Sequence, residues 1–126
     1  MMLKTRFAVA TTDGHYVVFA PRLLEKYNEG VGRHGKGGAP ERLKHLARAV
    51  HAIRNSRDIV DFPGDNPPQI AIVERMTVTN RRRGKTKHYA VVVYVDANSR
   101  EVRGFIYHSG TEASVDRFVA AKSHPR

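Results

Sequence analysis

The sequence of 126 residues contains no cysteine and no tryptophan. Without cysteine the chain forms no disulfides and no thiolate zinc sites, and it is suited to a reducing cytoplasm. No apolar run approaches the ~20 residues that cross a bilayer. The amino terminus lacks the apolar core of a secretion signal. These absences predict a cytoplasmic protein that does not associate with a membrane.

Acidic residues are also scarce: 12 Asp and Glu stand against 22 Lys and Arg, which gives a net charge of +10. A hydrophobic content of 40% and a charged content of 27% are typical of one globular domain, which we expect to cover residues 1–126. Nucleic acid is the commonest polyanionic partner of a small basic domain. Charge alone does not distinguish DNA from RNA.

The central part of the sequence predicts a three-stranded antiparallel meander. Residues 69–79 and 88–95 are rich in β-branched residues, and the second run is apolar on both faces, as expected of a covered central strand. A loop over residues 80–87 separates them and carries five cations and no acid. Turn residues at 96–100 precede a third strand over residues 102–108.

The flanking segments complete the predicted fold. In chain order they are strands at residues 3–10 and 15–19, a short helix from Pro21, a glycine-rich loop at 30–38, a helix at 40–55, an open loop at 58–68 and a carboxy-terminal helix after a capping box at 109–112. We therefore predict an α+β domain with an antiparallel sheet of about five strands. An exposed edge of such a sheet would allow a homodimer.

The helix at residues 40–55 has an apolar stripe and a basic flank. The stripe follows helical spacing and comprises Leu43, Leu46, Ala47, Val50 and Ile53. Lys44, Arg48 and His51 lie three and four residues apart on the flank, away from the stripe. A solvated cationic face and a surface that contacts nucleic acid both fit this pattern.

The leading hypothesis is a nucleic-acid-binding protein without catalytic activity and with weak sequence preference. Its expected phosphate contacts are Arg81, Arg82, Arg83, Lys85, Lys87, Lys44 and Arg48, with Arg33 and Lys36 from the glycine-rich loop. The aromatic side chains that would stack on unpaired bases are Tyr16, Tyr89 and Tyr107.

The second hypothesis is a metal-independent ribonuclease. One histidine would take the 2′-hydroxyl proton, another would protonate the leaving oxygen, and a lysine would stabilise the phosphorane. The candidates are His88, His108, Lys85 and Tyr107. The expected architecture resembles that of small basic ribonucleases, including RelE-type toxins, and this resemblance implies RNA cleavage.

The ribonuclease hypothesis depends on the register of the second hairpin. If Asp96 pairs with Arg100, His88 lies directly opposite His108, and the two side chains share a face. If the turn has only two residues, Tyr89 lies opposite His108 and the two imidazoles face opposite sides of the sheet.

A third hypothesis is an interaction or inhibitor protein that docks its basic surface on an acidic protein partner. The seven histidines show no metal-ligand spacing, so we expect no metal centre. No nucleotide or nucleophile motif is present, and we expect no cofactor.

Overall fold

The computed structural model describes residues 7–23 and 39–123, with side chains in the second range from Lys44 onward. The described chain has an α+β fold with six strands and three helices. The strands are β1 (Phe7–Ala10), β2 (Tyr16–Phe19), β3 (Asp58–Phe62), β4 (Gln69–Asn80), β5 (Lys85–Asp96) and β6 (Val102–Gly110). Helix α1 begins at Pro21 and is described over residues 21–23, and the other helices are α2 (Ala39–Asn55) and α3 (Glu112–Ser123).

The main sheet has four antiparallel strands in the order β3-β4-β5-β6. The predicted meander is confirmed as β4, β5 and β6. Strand β5 is covered on both faces, and every residue from Ala90 to Val93 is fully buried. Both faces are covered because α2 and the β1–β2 hairpin pack on one side and α3 packs on the other. We call these the α2 side and the α3 side.

Helix α2 confirms the predicted helix but faces the sheet differently from the predicted stripe. Ile53 is buried and Leu46 and Val50 pack on the core, as expected. Ala47, however, is exposed, whereas Ala49 and Ala52 are fully buried. The small alanine side chains allow the helix backbone to approach the sheet closely, and the periodicity of the larger apolar residues did not indicate this rotation.

Strand β3 corrects the predicted open loop at residues 58–68. Residues 58–62 pair with β4, from Asp58 opposite Val73 to Phe62 opposite Gln69. The prolines of the segment favour a loop, but they all lie after Phe62, and pairing of residues 58–62 satisfies their backbone groups and lets Phe62 enter the core on the α3 side. The strand ends before Pro63, which is followed by a turn.

The amino-terminal hairpin does not join the main sheet as a neighbouring strand. Strands β1 and β2 form a separate two-stranded sheet, and one parallel bridge links Val18 to Glu101. Val18 N donates to Arg100 O at 2.9 Å, and Arg100 Nε donates to Tyr16 O at 3.2 Å. The hairpin therefore contacts the sheet at the turn between β5 and β6.

Helix α3 starts two residues later than the predicted capping box. Ser109 belongs to β6, and Thr111 caps the helix instead, because its Oγ1 accepts from Ser114 N at 3.2 Å. The predicted apolar stripe is confirmed, since Val115 is buried and Phe118 and Val119 pack on the core. None of the described helices is long and apolar enough to span a membrane.

Candidate functional site

The β4–β5 hairpin extends beyond the rest of the sheet. The pairing of β6 ends at Gly110, which lies opposite His88, whereas β4 and β5 continue to pair as far as Asn80 and Lys85. We call the extension, residues 78–87, the arm. The predicted loop at residues 80–87 is therefore shorter than expected, and Lys85 and Lys87 lie on a strand. Three residues of β structure make the paired part of the arm about 10 Å long.

The tip of the arm is a four-residue loop held by local hydrogen bonds. The Asn80 side chain accepts from the backbone amides of Arg82 and Arg83 at 3.1 and 3.4 Å. Gly84 has φ 61°, a conformation that favours glycine and returns the chain into β5. The loop therefore presents three adjacent guanidinium groups on a turn whose backbone is already ordered.

The two faces of the arm differ in charge. Successive residues of a strand point to opposite faces, so Lys85 and Lys87 share the α2 side with Tyr89. Val78 lies opposite Lys87 on that side, and 49% of its surface is exposed. Thr79 and Thr86 occupy the α3 side, with their hydroxyls 3.3 Å apart. The lysines of the arm thus face the α2 side, and its α3 side is uncharged.

An aromatic and cationic cluster lies on the α2 side at the base of the arm. The Arg48 guanidinium carbon lies 4.8 Å from the Tyr89 ring centre and 5.5 Å from that of Tyr107. Arg48 Nη1 lies 3.7 Å from Met76 Sδ, and the His45 ring stacks on Tyr107 at 4.5 Å. We call these five residues the Arg48 cluster. Cation–π contacts of this kind hold an arginine in place without removing its charge.

The sequence indicated only part of this cluster. Arg48 was placed on a basic flank away from the apolar stripe, yet it is half-buried and packs on tyrosines. His45 and Met76 were not expected to contribute. His45 stands three residues before Arg48, which places both on one helix face, but the sequence does not show which strands that face meets.

The contacts of α2 show which way the helix points. His51 Nδ1 lies 2.7 Å from Glu74 Oε1, and Arg48 contacts Met76, two residues nearer the arm along β4. The amino-terminal end of α2 is therefore directed toward the arm. Lys44 is exposed and lies one further turn, about 6 Å, in that direction. Lys44 and Arg48 of the helix thus lie on the same side of the sheet as Lys85 and Lys87 of the arm.

The described acids lie away from the α2 side of the arm. On the β4–β5 hairpin that side has one acid, Glu74, whose side chain is 11% exposed and bound to His51. Asp116 pairs with Arg75 on the α3 side, where Glu112 lines the same shallow depression. Strand β3 pairs no farther along β4 than Val73, about 23 Å from the end of the strand at Asn80.

The other predicted phosphate contacts, Arg33 and Lys36, lie outside the described residues. Tyr89 and Tyr107 are in the Arg48 cluster, where Arg48 and His45 cover their rings. Tyr16 is 63% exposed but lies near Arg100, at the opposite end of the sheet from the arm. The three tyrosines that sequence reasoning grouped together are therefore not at one site.

The registers predicted for the second hairpin are wrong at the histidines. Of the two predicted registers, the one with a two-residue turn is observed next to the turn, where Val95 pairs with Val102. A β-bulge then shifts the register, so that Tyr94 pairs with Gly104. As a result, His88 lies opposite Gly110 and His108 opposite Ala90. A bulge adds one residue to one strand, and the turn residues do not indicate it.

The observed register separates the four candidate catalytic residues into two pairs. His88 and His108 share the α3 side as diagonal neighbours, whereas Lys85 and Tyr107 face the α2 side. His108 stacks on Phe118 with ring centres 5.0 Å apart, and its Nε2 lies 3.2 Å from Ser114 Oγ. The imidazole of His108 thus packs beneath α3.

Two side chains at the end of the sheet that is remote from the arm have pKa values that differ from their ordinary values. The backbone amides of Ser99 and Asn98 donate to Asp96 Oδ1 at 3.1 and 2.8 Å, and they hold the pKa of this carboxyl below its ordinary value of 3.8. Burial raises the pKa of Tyr94, whose hydroxyl donates to Lys122 O at 2.7 Å. Within residues 7–23 and 39–123, no group of three His, Asp or Glu side chains is placed to hold a metal ion.

Comparison of the chain with protein-family models, with curated proteins and with solved structures finds no match. The features of this chain that bear on its function are therefore the arm, the Arg48 cluster and the distribution of charge.

Proposed function

We propose that this protein binds nucleic acid through phosphate contacts made by the arm and by Lys44 and Arg48 of α2. The supporting observation is the charge of the arm. It carries five cations, Arg81, Arg82, Arg83, Lys85 and Lys87, and none of the ion pairs among the described residues includes them. Unpaired cations gathered on one hairpin are suited to a polyanion with regularly spaced charges.

The arrangement also supports an orientation for the bound polyanion. Lys85 and Lys87 face the α2 side of the sheet. Helix α2 lies on this side, and its amino-terminal end, directed toward the arm, carries Lys44. The α3 side has the carboxylates of Glu112 and Asp116 at the base of the arm. The second side lacks unpaired lysines on the arm, and its Asp116 is paired with Arg75, so a phosphate backbone would be attracted mainly to the first side. The proposed interface therefore comprises the tip and the α2 side.

The expected strength follows from the number of contacts. If the five cations of the arm, Lys44 and Arg48 each neutralise one phosphate, log K falls against log salt with a slope of about −6.3 on B-DNA. Affinity then decreases roughly 6,000-fold between about 50 and 200 mM salt. Phosphate contacts carry no sequence information, so we expect weak sequence preference.

The test is a fluorescence-anisotropy titration of the whole chain against single- and double-stranded DNA and RNA, with polyglutamate as a non-nucleic polyanion. We expect micromolar or tighter binding to at least one nucleic acid at low salt, a steep salt dependence, and weaker binding to polyglutamate. Binding to polyglutamate but to no nucleic acid would contradict the proposal and favour an interaction protein with an acidic partner.

The RNA samples of this titration, prepared in EDTA, also test the ribonuclease hypothesis. The RNA is recovered after incubation with the protein and examined for cleavage. We expect the RNA to remain intact, since Lys85 and Tyr107 face away from the two histidines. RNA cleavage that is abolished by His88→Ala would favour catalysis over simple binding.

A further inference from the structure

We propose that the arm enters the major groove of duplex DNA with its α2 side against the base edges. This inference rests on the proposed nucleic-acid binding and names the class of nucleic acid and the groove. Its starting point is the shape of the arm, a two-stranded ribbon that none of the other described strands accompanies beyond His88.

The dimensions of the ribbon match one groove. Paired strands lie about 4.8 Å apart, so the ribbon backbone is narrower than the roughly 12 Å width of the B-DNA major groove, which admits such a ribbon. With its α2 side against the bases, the paired part of the arm, about 10 Å long, runs along the groove for about three base pairs at about 3.4 Å each. The minor groove of B-DNA is only about 6 Å wide, and the major groove of A-form RNA is too deep and narrow for side-chain readout.

The chemistry of the α2 side fits base edges as well as phosphates. At the base edges an apolar side chain contacts the thymine methyl group, while the flanking lysine amines reach the phosphates along the groove. Lys87 and Val78 are cross-strand partners, and Lys85 follows on the same face toward the tip. The exposed Val78 places one apolar side chain beside these two lysines, in position for a thymine methyl group. Arg81, Arg82 and Arg83 would then reach the phosphates that flank the groove.

The aromatic residues favour a duplex over a single strand. Recognition of unpaired bases usually depends on accessible aromatic faces. At the base of the arm, however, Arg48 covers Tyr89 and Tyr107, and His45 stacks on Tyr107. The exposed Tyr16 is at the other end of the sheet.

The test uses two duplexes of one sequence and about two helical turns. One contains cytosine, and the other contains glucosylated 5-hydroxymethylcytosine, whose sugars fill the major groove and leave the phosphates unchanged. We expect the wild-type protein to bind the glucosylated duplex about tenfold more weakly or worse. Single-stranded DNA and duplex RNA, measured at the same salt concentration, should also bind more weakly than the cytosine duplex.

A matched pair of variants tests which face contacts the bases. Val78→Thr keeps the β-branched shape but places a hydroxyl on the α2 side, and Thr79→Val makes the opposite change on the α3 side. We expect Val78→Thr to weaken binding to the cytosine duplex about threefold or more, with an unchanged salt slope. Thr79→Val should bind like the wild type.

The outcomes separate the two proposals. If the wild-type protein binds both duplexes within about twofold, or prefers single strands or duplex RNA, the groove assignment is wrong while nucleic-acid binding stands. If it binds no nucleic acid at low salt, the proposed function fails and the groove assignment fails with it.

Discussion

Replacing Lys85 and Lys87 by glutamine should weaken binding to duplex DNA and reduce its salt dependence. Each phosphate contact contributes about 0.9 to the slope of log K against log salt, so loss of two contacts reduces the slope by about 1.8. Between about 50 and 200 mM salt, the factor by which affinity falls should therefore be about twelvefold smaller for the variant than for the wild type. Both lysines are exposed, so the free energy of unfolding should change by no more than about 0.5 kcal/mol.

The measurement is a set of anisotropy titrations with one labelled duplex at several salt concentrations. Arg117→Gln combined with Lys122→Gln is the matched control, because it removes the same two charges from exposed positions on α3. The control should keep the wild-type slope, since α3 packs on the side of the sheet opposite to the proposed phosphate-binding surface. Circular dichroism of both variants would establish that each is folded.

Two results would contradict this reasoning. If the slope of log K against log salt falls by the same amount in both double variants, affinity follows the net charge of the molecule and the arm is not a localised site. If the slope is unchanged in both variants, the polyanion binds elsewhere, and the asymmetry between the two sides of the sheet has no part in binding.

Two predictions concern stability. Ser56→Ala should lower the free energy of unfolding, measured by urea denaturation, by about 1–3 kcal/mol. The reason is that the buried Ser56 hydroxyl donates to Val73 O and accepts from Asp58 N at 3.1 Å. The control is Ser109→Ala at an exposed serine, which should change the free energy of unfolding by less than about 0.5 kcal/mol. Asp96→Asn should destabilise the fold at neutral pH. The pKa of Asp96 is lower in the folded protein than its ordinary value of 3.8, so its carboxylate stabilises the fold at pH values above 3.8. This stabilisation is lost as the pH falls through the pKa of the folded state. The two proteins should converge in stability in acid, and a difference that is independent of pH would contradict the assignment.

Much of the fold is predictable because its signals are local. The run at residues 88–95 is apolar on both faces, and β5 is indeed covered from both sides. Spacings of three and four predicted the helix that ends at Asn55 and the stripe of α3 that includes Val115. These patterns depend only on neighbours along the chain.

The missed features depend on partners that are distant in sequence. Strand β3 reads as a loop until the outer edge of β4 is available to pair with it. The β-bulge after Val102 shifts His108 relative to His88, although the turn before it has ordinary turn residues. Arg48 reads as a surface cation because nothing in α2 shows that Tyr89 and Tyr107 lie beneath it.

The sequence by itself determined that this is a basic α+β domain and that its densest positive charge lies between two strands. Composition and short-range periodicity are properties of the chain before it folds. Only the tertiary structure decided that Lys85 and Lys87 face α2, that His88 and His108 are not directly opposed, and that the described acids lie elsewhere. Those relations are set by strand register and helix packing, and a shift of one residue in register moves a side chain to the other face of the sheet.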